Sequence, residues 1–246
     1  MSEIGKYIYS GRLEKSIPSH SGRLENFYSD RSSIVFSTSF RRMMQKAQVF
    51  SLESNTSVRN RLTHSLEVAD IGKTIARRIG QLLVDKGLAD IEDVECMQSI
   101  VENACLIHDI GNPPFGHFGE EAIKQWFKLK APDIFRKSTD QMDYEDNYSD
   151  LLFDFYHFDG NPQGLRIVSC LHSDLGRNGL NLTYSTILAS IKYPNIGMIS
   201  HEKLFGGKVG IFRTEEQKYR DVCVQSGHDY GKRYFLVYIM ELADDI

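Results

Sequence analysis

Hydrophobic positions recur at helical rather than strand spacing along most of this chain. Between Arg61 and Val84 the residues Leu62, Leu66, Ala69, Ala76, Ile79 and Leu83 lie three, four or seven apart, while Glu67, Asp70, Lys73 and Arg77 fall elsewhere. That spacing predicts an amphipathic helix with Asn60 as its N-cap and Gly87 as its stop. A second helix is predicted from Ile91 to His108, where Val94, Met97, Val101 and Ala104 form one line with Ile100 and Ile107 beside it. It must end at Gly111-Asn112-Pro113-Pro114, since consecutive prolines cannot continue the hydrogen-bond ladder. A third begins near Gly116, with Phe118, Ala122, Ile123, Trp126 and Phe127 as its apolar side. The last segment, Tyr234 to Ile246, is apolar nearly all the way round and reads as a helix buried on every side.

Other stretches are less regular. Met1 to Asp30 reads as a polar arm, and Phe40 to Phe50 as a short basic helix. Ala131 to Tyr156 is acidic and aromatic, loop plus short helix, and Asp159 to Gly210, rich in Gly and Asn, does not divide into elements. No alternating strand pattern, internal repeat or Gly-rich nucleotide fingerprint competes, so the expected fold class is mainly α. The expected domains are an arm over residues 1–30 and one helical domain over residues 31–246.

Composition narrows the class. A chain of 246 residues, 41% hydrophobic and 25% charged with only 6 Pro, can bury a real core, which excludes a disulfide-stapled peptide and wholesale disorder. The formal charge of -4 argues against a coat of positive potential for nucleic acid, so any phosphate site must be a local basic patch. The start lacks the apolar core of a secretory signal, and no stretch approaches the roughly 18 apolar residues that span a bilayer. No membrane partner and a cytoplasmic location are therefore expected. The 4 cysteines form no CxxC pair and read as free core thiols.

Ionisable groups at the ends of these apolar helices need a chemical explanation. His64 lies one turn into the first long helix with Arg61 three residues before it, His108-Asp109 closes the second, and Asp244-Asp245 follows the final apolar run. Two imidazoles and two carboxylates suit a divalent ion of intermediate hardness and leave positions open for water and a phosphate oxygen.

Five strings carry a family resemblance: RNRLTHSLEVADIGKTIARRIG from Arg59, ACLIHDIGNPPFGHFGEEAI from Ala104, DRSSIVFSTSFRRMMQKAQVF from Asp30, FDGNPQGLRIV from Phe158, and YIMELADDI at the end. Together they resemble the HD-domain phosphohydrolases, specifically the deoxyguanosine triphosphate triphosphohydrolase branch, and HDIGNPPFGH is the most specific of them. The resemblance implies a helical bundle around a metal site, with His64, His108, Asp109 and Asp244 as ligands. Asp244 is chosen over Asp245 because the family's last ligand directly follows a small residue, here Ala243. It also implies His117 and Glu120 as the catalytic pair. A spacing of three puts both on one helix face, where a carboxylate can orient the imidazole and favour its protonated form. Without the family, His117 reads as a turn cap.

The same resemblance assigns Arg61 to an α-phosphate oxygen, Arg59 to the polyphosphate, and Gln48, Asn161, Gln163 and Arg166 to the nucleotide pocket. Arg41, Arg42 and Lys46 read equally as phosphate contacts or as a solvated face. The implied cofactor is Mg or Mn, with Fe, Co, Ni or Zn as alternatives. The implied reaction is hydrolysis of a deoxynucleoside triphosphate, dGTP favoured, to deoxynucleoside and tripolyphosphate. Homo-oligomeric assembly and single-stranded DNA binding occur within the resembling family. Two other readings stay open. One is a broader HD phosphohydrolase or phosphodiesterase. The other is a shortened chain that binds metal or nucleotide, or joins an oligomer, without turnover. The shortened-chain reading is motivated by the stop two residues after Asp244, where family members continue.

Overall fold

The computed structural model describes residues 2–14, 22–48, 55, 57–138, 149–172, 179–196 and 208–246. Its elements are α1 (Arg23–Phe36), α2 (Thr38–Arg42), α3 (Arg61–Asp85), α4 (Ile91–Ile107) and α5 (Gly116–Ser138), followed by α6 (Ser149–Tyr156), α7 (Gly160–Arg166), α8 (Tyr184–Ser190), α9 (Glu216–Ser226) and α10 (Val237–Asp245). Among the described residues the only β pairing is two isolated bridges, Ala47 with Asn60 and Ile196 with Ile211. The fold is mainly α, as the periodicity requires. No helix among these residues is long and apolar enough to cross a membrane.

The α3–α4 pair is the spine. Asn60 caps α3 by accepting from the Thr63 N–H while Thr63 Oγ1 accepts from the Asn60 N–H, and Asp90 with Asp93 repeats this reciprocal box at α4. The two helices approach closely at Gly72, where an added Cβ would lie 2.7 Å from Cys105 Sγ. Met97, Ile100, Val101, Ala104 and Cys105 of α4 are almost wholly buried, because α1, α3, α8 and α10 cover it on several sides. Cys96, Cys105 and Cys223 are buried free thiols, and Cys170 is free and half-buried.

Three expectations are corrected. The stretch read as an arm includes the start of α1, which buries Phe27, Asp30 and Ile34 against the core. A carboxylate in the middle of that stripe hid its period. Asp30 is tolerated because Arg12 Nη1 lies 2.6 Å away and Thr183 and Thr186 donate hydroxyl bonds to it. The α5 stripe through Phe118, Ala122 and Trp126 stands exposed. The inward face keeps Ile123 and Phe127 from the expected side and adds Glu120 and Ala131, with Phe127 stacked on Phe155 of α6. The last helix is buried on one side only: Val237, Ile239, Met240 and Ala243 face α3, α4 and α8, whereas Tyr238 and Leu242 are exposed.

The basic segment forms α2 and a 3-10 turn over Met43–Gln45, then extends at Lys46; residues 49 and 50 lie outside the described residues.

Candidate metal centre

Three elements deliver the ionisable side chains to one place. The first turn of α3 carries Arg61 and His64, the end of α4 carries His108 and Asp109, and the last turn of α10 carries Asp244. Ligand atoms of His64, His108 and Asp109 all lie within 4.8 Å of one another. Asp244 Oδ1 is 3.2 Å from His64 Nε2 and 3.3 Å from His108 Nε2, and the two imidazoles meet edge to face. All four expected ligands are thus brought together.

The hydrogen bonds decide which nitrogen faces inward. His108 Nδ1 lies 2.7 Å from the Cys105 carbonyl oxygen, which can only accept, so Nδ1 carries the proton. In the neutral ring Nε2 keeps its lone pair. That atom is buried and meets no hydrogen-bond partner, although Asp244 Oδ1 and Asp109 Oδ2 approach it. Acceptors converging without a donor between them are a favourable setting for a cation. The residues present therefore fit a divalent metal.

Burial pushes the Asp244 carboxyl up, but the facing His108 and His64 imidazoles and the charge of Lys192 outweigh it and hold it well below the usual carboxylate range. Lys192 Nζ donates to Asp244 Oδ2 at 2.8 Å. Burial alone would lower the pKa of this ammonium; the facing Asp244 raises it overall. No periodicity or motif singled out Lys192, which lies in the loop after α8.

Arg61 is buried and reaches the cluster: Nη1 donates to Asp109 Oδ2 at 2.5 Å. Asn112 Nδ2 donates to the other oxygen, Oδ1, at 2.5 Å. Lys46 Nζ donates to the Ile110 carbonyl beside them, and burial together with the charge of Arg61 lowers its pKa.

The Pro-Pro turn leads to the second pair. Phe115 adopts φ 68°, the left-handed region a bulky side chain rarely enters, and the chain then swings into α5. His117 emerges with a side chain 96% exposed, its Nδ1 2.7 Å from Oε2 of the buried Glu120. The other oxygen, Oε1, accepts from the Gly160 N–H at 2.8 Å. One edge of the His117 ring is anchored while the other opens to solvent.

The remaining expected residues are more dispersed. Arg59 pairs with Glu67 at 2.9 Å on the rim of a groove of about 660 Å³ that His64, Leu66, Ile71, Ala243 and Asp244 also line. Gln48 has a buried, unpartnered Oε1. Asn161 bonds Asp159 at the start of α7, and the Gln163 N–H bonds the Asp159 carbonyl. Arg166 is engaged by Glu215 at 2.9 Å, Thr214 at 2.6 Å and the Phe212 ring.

An HD-domain family model matches residues 61–151. A Listeria monocytogenes protein named deoxyguanosinetriphosphate triphosphohydrolase-like is 38% identical over 224 residues, covering 89% of this chain and 48% of its own length. A Pseudomonas aeruginosa protein of the same name is 38% identical over 228 residues, covering 89% and 49%. A Yersinia enterocolitica deoxyguanosinetriphosphate triphosphohydrolase is 39% identical over 248 residues, covering 89% and 47%. The chain spans about half the length of the curated relatives it matches. The HD match spans the residues that carry His64, His108 and Asp109, and along 89% of its length the chain is similar to proteins named deoxyguanosinetriphosphate triphosphohydrolase or deoxyguanosinetriphosphate triphosphohydrolase-like.

Proposed function

We propose that the chain hydrolyses a deoxynucleoside triphosphate, dGTP favoured, to deoxynucleoside and tripolyphosphate with the help of a divalent metal. The observation that carries this reading is the buried lone pair of His108 Nε2 facing Asp244, with His64 and Asp109 around it. These four residues would hold the ion. Mg or Mn is favoured, and Fe, Co, Ni or Zn suits the same donors. The chemistry such an ion supplies is Lewis acidity, which lowers the pKa of water and offsets phosphate charge.

The chain's own residues supply the rest. Arg61 and Asn112 fix both oxygens of Asp109, and Lys192 offsets the charge of Asp244. Glu120 accepts at His117 Nδ1, which leaves His117 Nε2 facing solvent as the atom that hands a proton to the departing 5′ oxygen. Without that proton the leaving group is an alkoxide, a poor one. The buried Glu120 fixes the ring's direction. Arg59, which lines the groove, would supply positive charge to a polyphosphate.

The test is incubation of the purified chain with each dNTP and Mg or Mn, with separate assays for nucleoside and tripolyphosphate. Both products in equal amounts are expected. Release of orthophosphate or a monophosphate would overturn the proposed bond cleavage, and metal binding with no hydrolysis would leave a binding protein instead.

A further inference from the structure

We propose that Asn112 is a positioning residue that fixes Asp109 and ties it to the His117–Glu120 pair through Gly160, an inference that rests on the metal reading above. Its amide touches both halves of the site. Nδ2 donates to Asp109 Oδ1 at 2.5 Å, opposite the Arg61 bond to Oδ2, so the carboxylate has a donor on each oxygen and cannot rotate freely. Each oxygen keeps a lone pair for a further partner.

The other end of the amide rests on α7. An added Cβ at Gly160 would lie 1.7 Å from Asn112 Oδ1, a separation no side chain tolerates. The N–H of that same Gly160 donates to Glu120 Oε1, and Glu120 Oε2 holds His117. One residue earlier, an added Cβ at Gly111 would lie 2.1 Å from both the Gly160 carbonyl oxygen and the Gly164 nitrogen. The turn that follows His108-Asp109 is therefore seated directly on the backbone of α7.

The two halves interlock through one amide and one glycine. Asparagine suits the position because it offers a donor to a carboxylate and a compact oxygen to a bare Cα. An aspartate would set a second negative charge against Asp109, and an alanine would leave Asp109 Oδ1 without its donor. Partners that orient metal-ligating side chains typically carry about 10- to 100-fold in metal affinity.

The test is calorimetric titration of Mn²⁺ into the full chain for the wild type, Asn112→Ala, Gly160→Ala, the double variant and His108→Ala. Far-UV circular dichroism verifies that each is folded. Asn112→Ala is expected to weaken Mn²⁺ binding by about 10-fold or more. Gly160→Ala should do the same by displacing the amide, and the double variant should bind no worse than the weaker single one. Asn112→Ser, which keeps a short donor, should recover most of the affinity and covers the case in which the alanine variant does not fold. Effects that multiply in the double variant would overturn the coupling. Wild-type affinity in Asn112→Ala with binding lost in His108→Ala would overturn the positioning role and leave the metal reading intact. Wild-type affinity in His108→Ala would instead remove the metal reading, and this inference with it.

Discussion

His108 Nε2 and Asp244 Oδ1 lie 3.3 Å apart at the junction of α4 and α10, and with Nδ1 engaged by the Cys105 carbonyl the ring turns Nε2 toward the carboxylate. A cation between them would be held by both. Mn²⁺ at about 100 times its dissociation constant should therefore stabilise the wild-type fold by about 2.7 kcal/mol. It should leave His108→Ala and Asp244→Asn unchanged. Thermal unfolding with and without a chelator measures this, and equal stabilisation of all three proteins would place the ion elsewhere.

Glu120 bonds His117 with one oxygen and the Gly160 N–H with the other. Glu120→Gln keeps the shape but can accept through only one atom, so it can no longer satisfy both donors. Should the chain turn over dNTPs as proposed, this variant should lose about 10²- to 10⁴-fold in rate. Mn²⁺ affinity should stay near wild type. A parallel loss of both would mean that Glu120 supports the fold rather than the proton transfer.

Burial pushes the Asp154 carboxyl up to about 6, against the Arg213 N–H and the Arg166 charge that pull it down, with Glu215 adding repulsion. The folded state thus holds the Asp154 proton more tightly than the unfolded chain does. Its contribution to stability is fully present below the ordinary value of 3.8 and is lost as pH rises through about 6. Asp154→Asn, which imitates the neutral form, should be more stable than wild type above that range by about 1–3 kcal/mol. It should also show a flatter dependence between the two values. Urea unfolding across pH reads both, and an unchanged slope would show that another group sets it.

Asp30 holds the N-terminal segment onto the bundle. It pairs with Arg12, which also donates to the carbonyl of Asn26 and, through Nη1, to that of Asn181. Burial raises the Asp30 carboxyl, while Arg12, Thr183 and Thr186 partly offset this. Asp30→Ala leaves the buried guanidinium without its counter-charge and should cost about 3–5 kcal/mol, read from denaturant unfolding. A loss below about 1 kcal/mol, the scale of an exposed pair, would show that water reaches Arg12.

The periodic segments were legible because their signals are local. Asn60 and Asp90 mark helix starts through bonds three residues away, and Gly111 to Pro114 stops α4 by removing donors. Where a helix buries polar groups, local signals misled. Asp30 interrupts the apolar stripe of α1, and the Phe118–Trp126 stripe of α5 faces solvent because Glu120 and Phe127 face inward. Composition could not reveal either choice, since each depends on a partner distant in sequence: Thr183 for Asp30, Gly160 for Glu120.

By itself the sequence determined the helical class and the ends of α3 and α4, whereas the four candidate ligands were implied by the family resemblance of the strings that carry them. Side-chain spacing and backbone capping act within a turn or two, so the order of residues contains them. Only the tertiary structure decided that Arg61 grips Asp109, that Arg166 turns to Glu215, and that Lys192 and Asn112 join the cluster. It also decided which nitrogen of His108 faces Asp244. Arg61 and Asp109 are 48 positions apart and His64 and Asp244 180 apart, so their meeting depends on how α3, α4 and α10 pack, which no local period encodes.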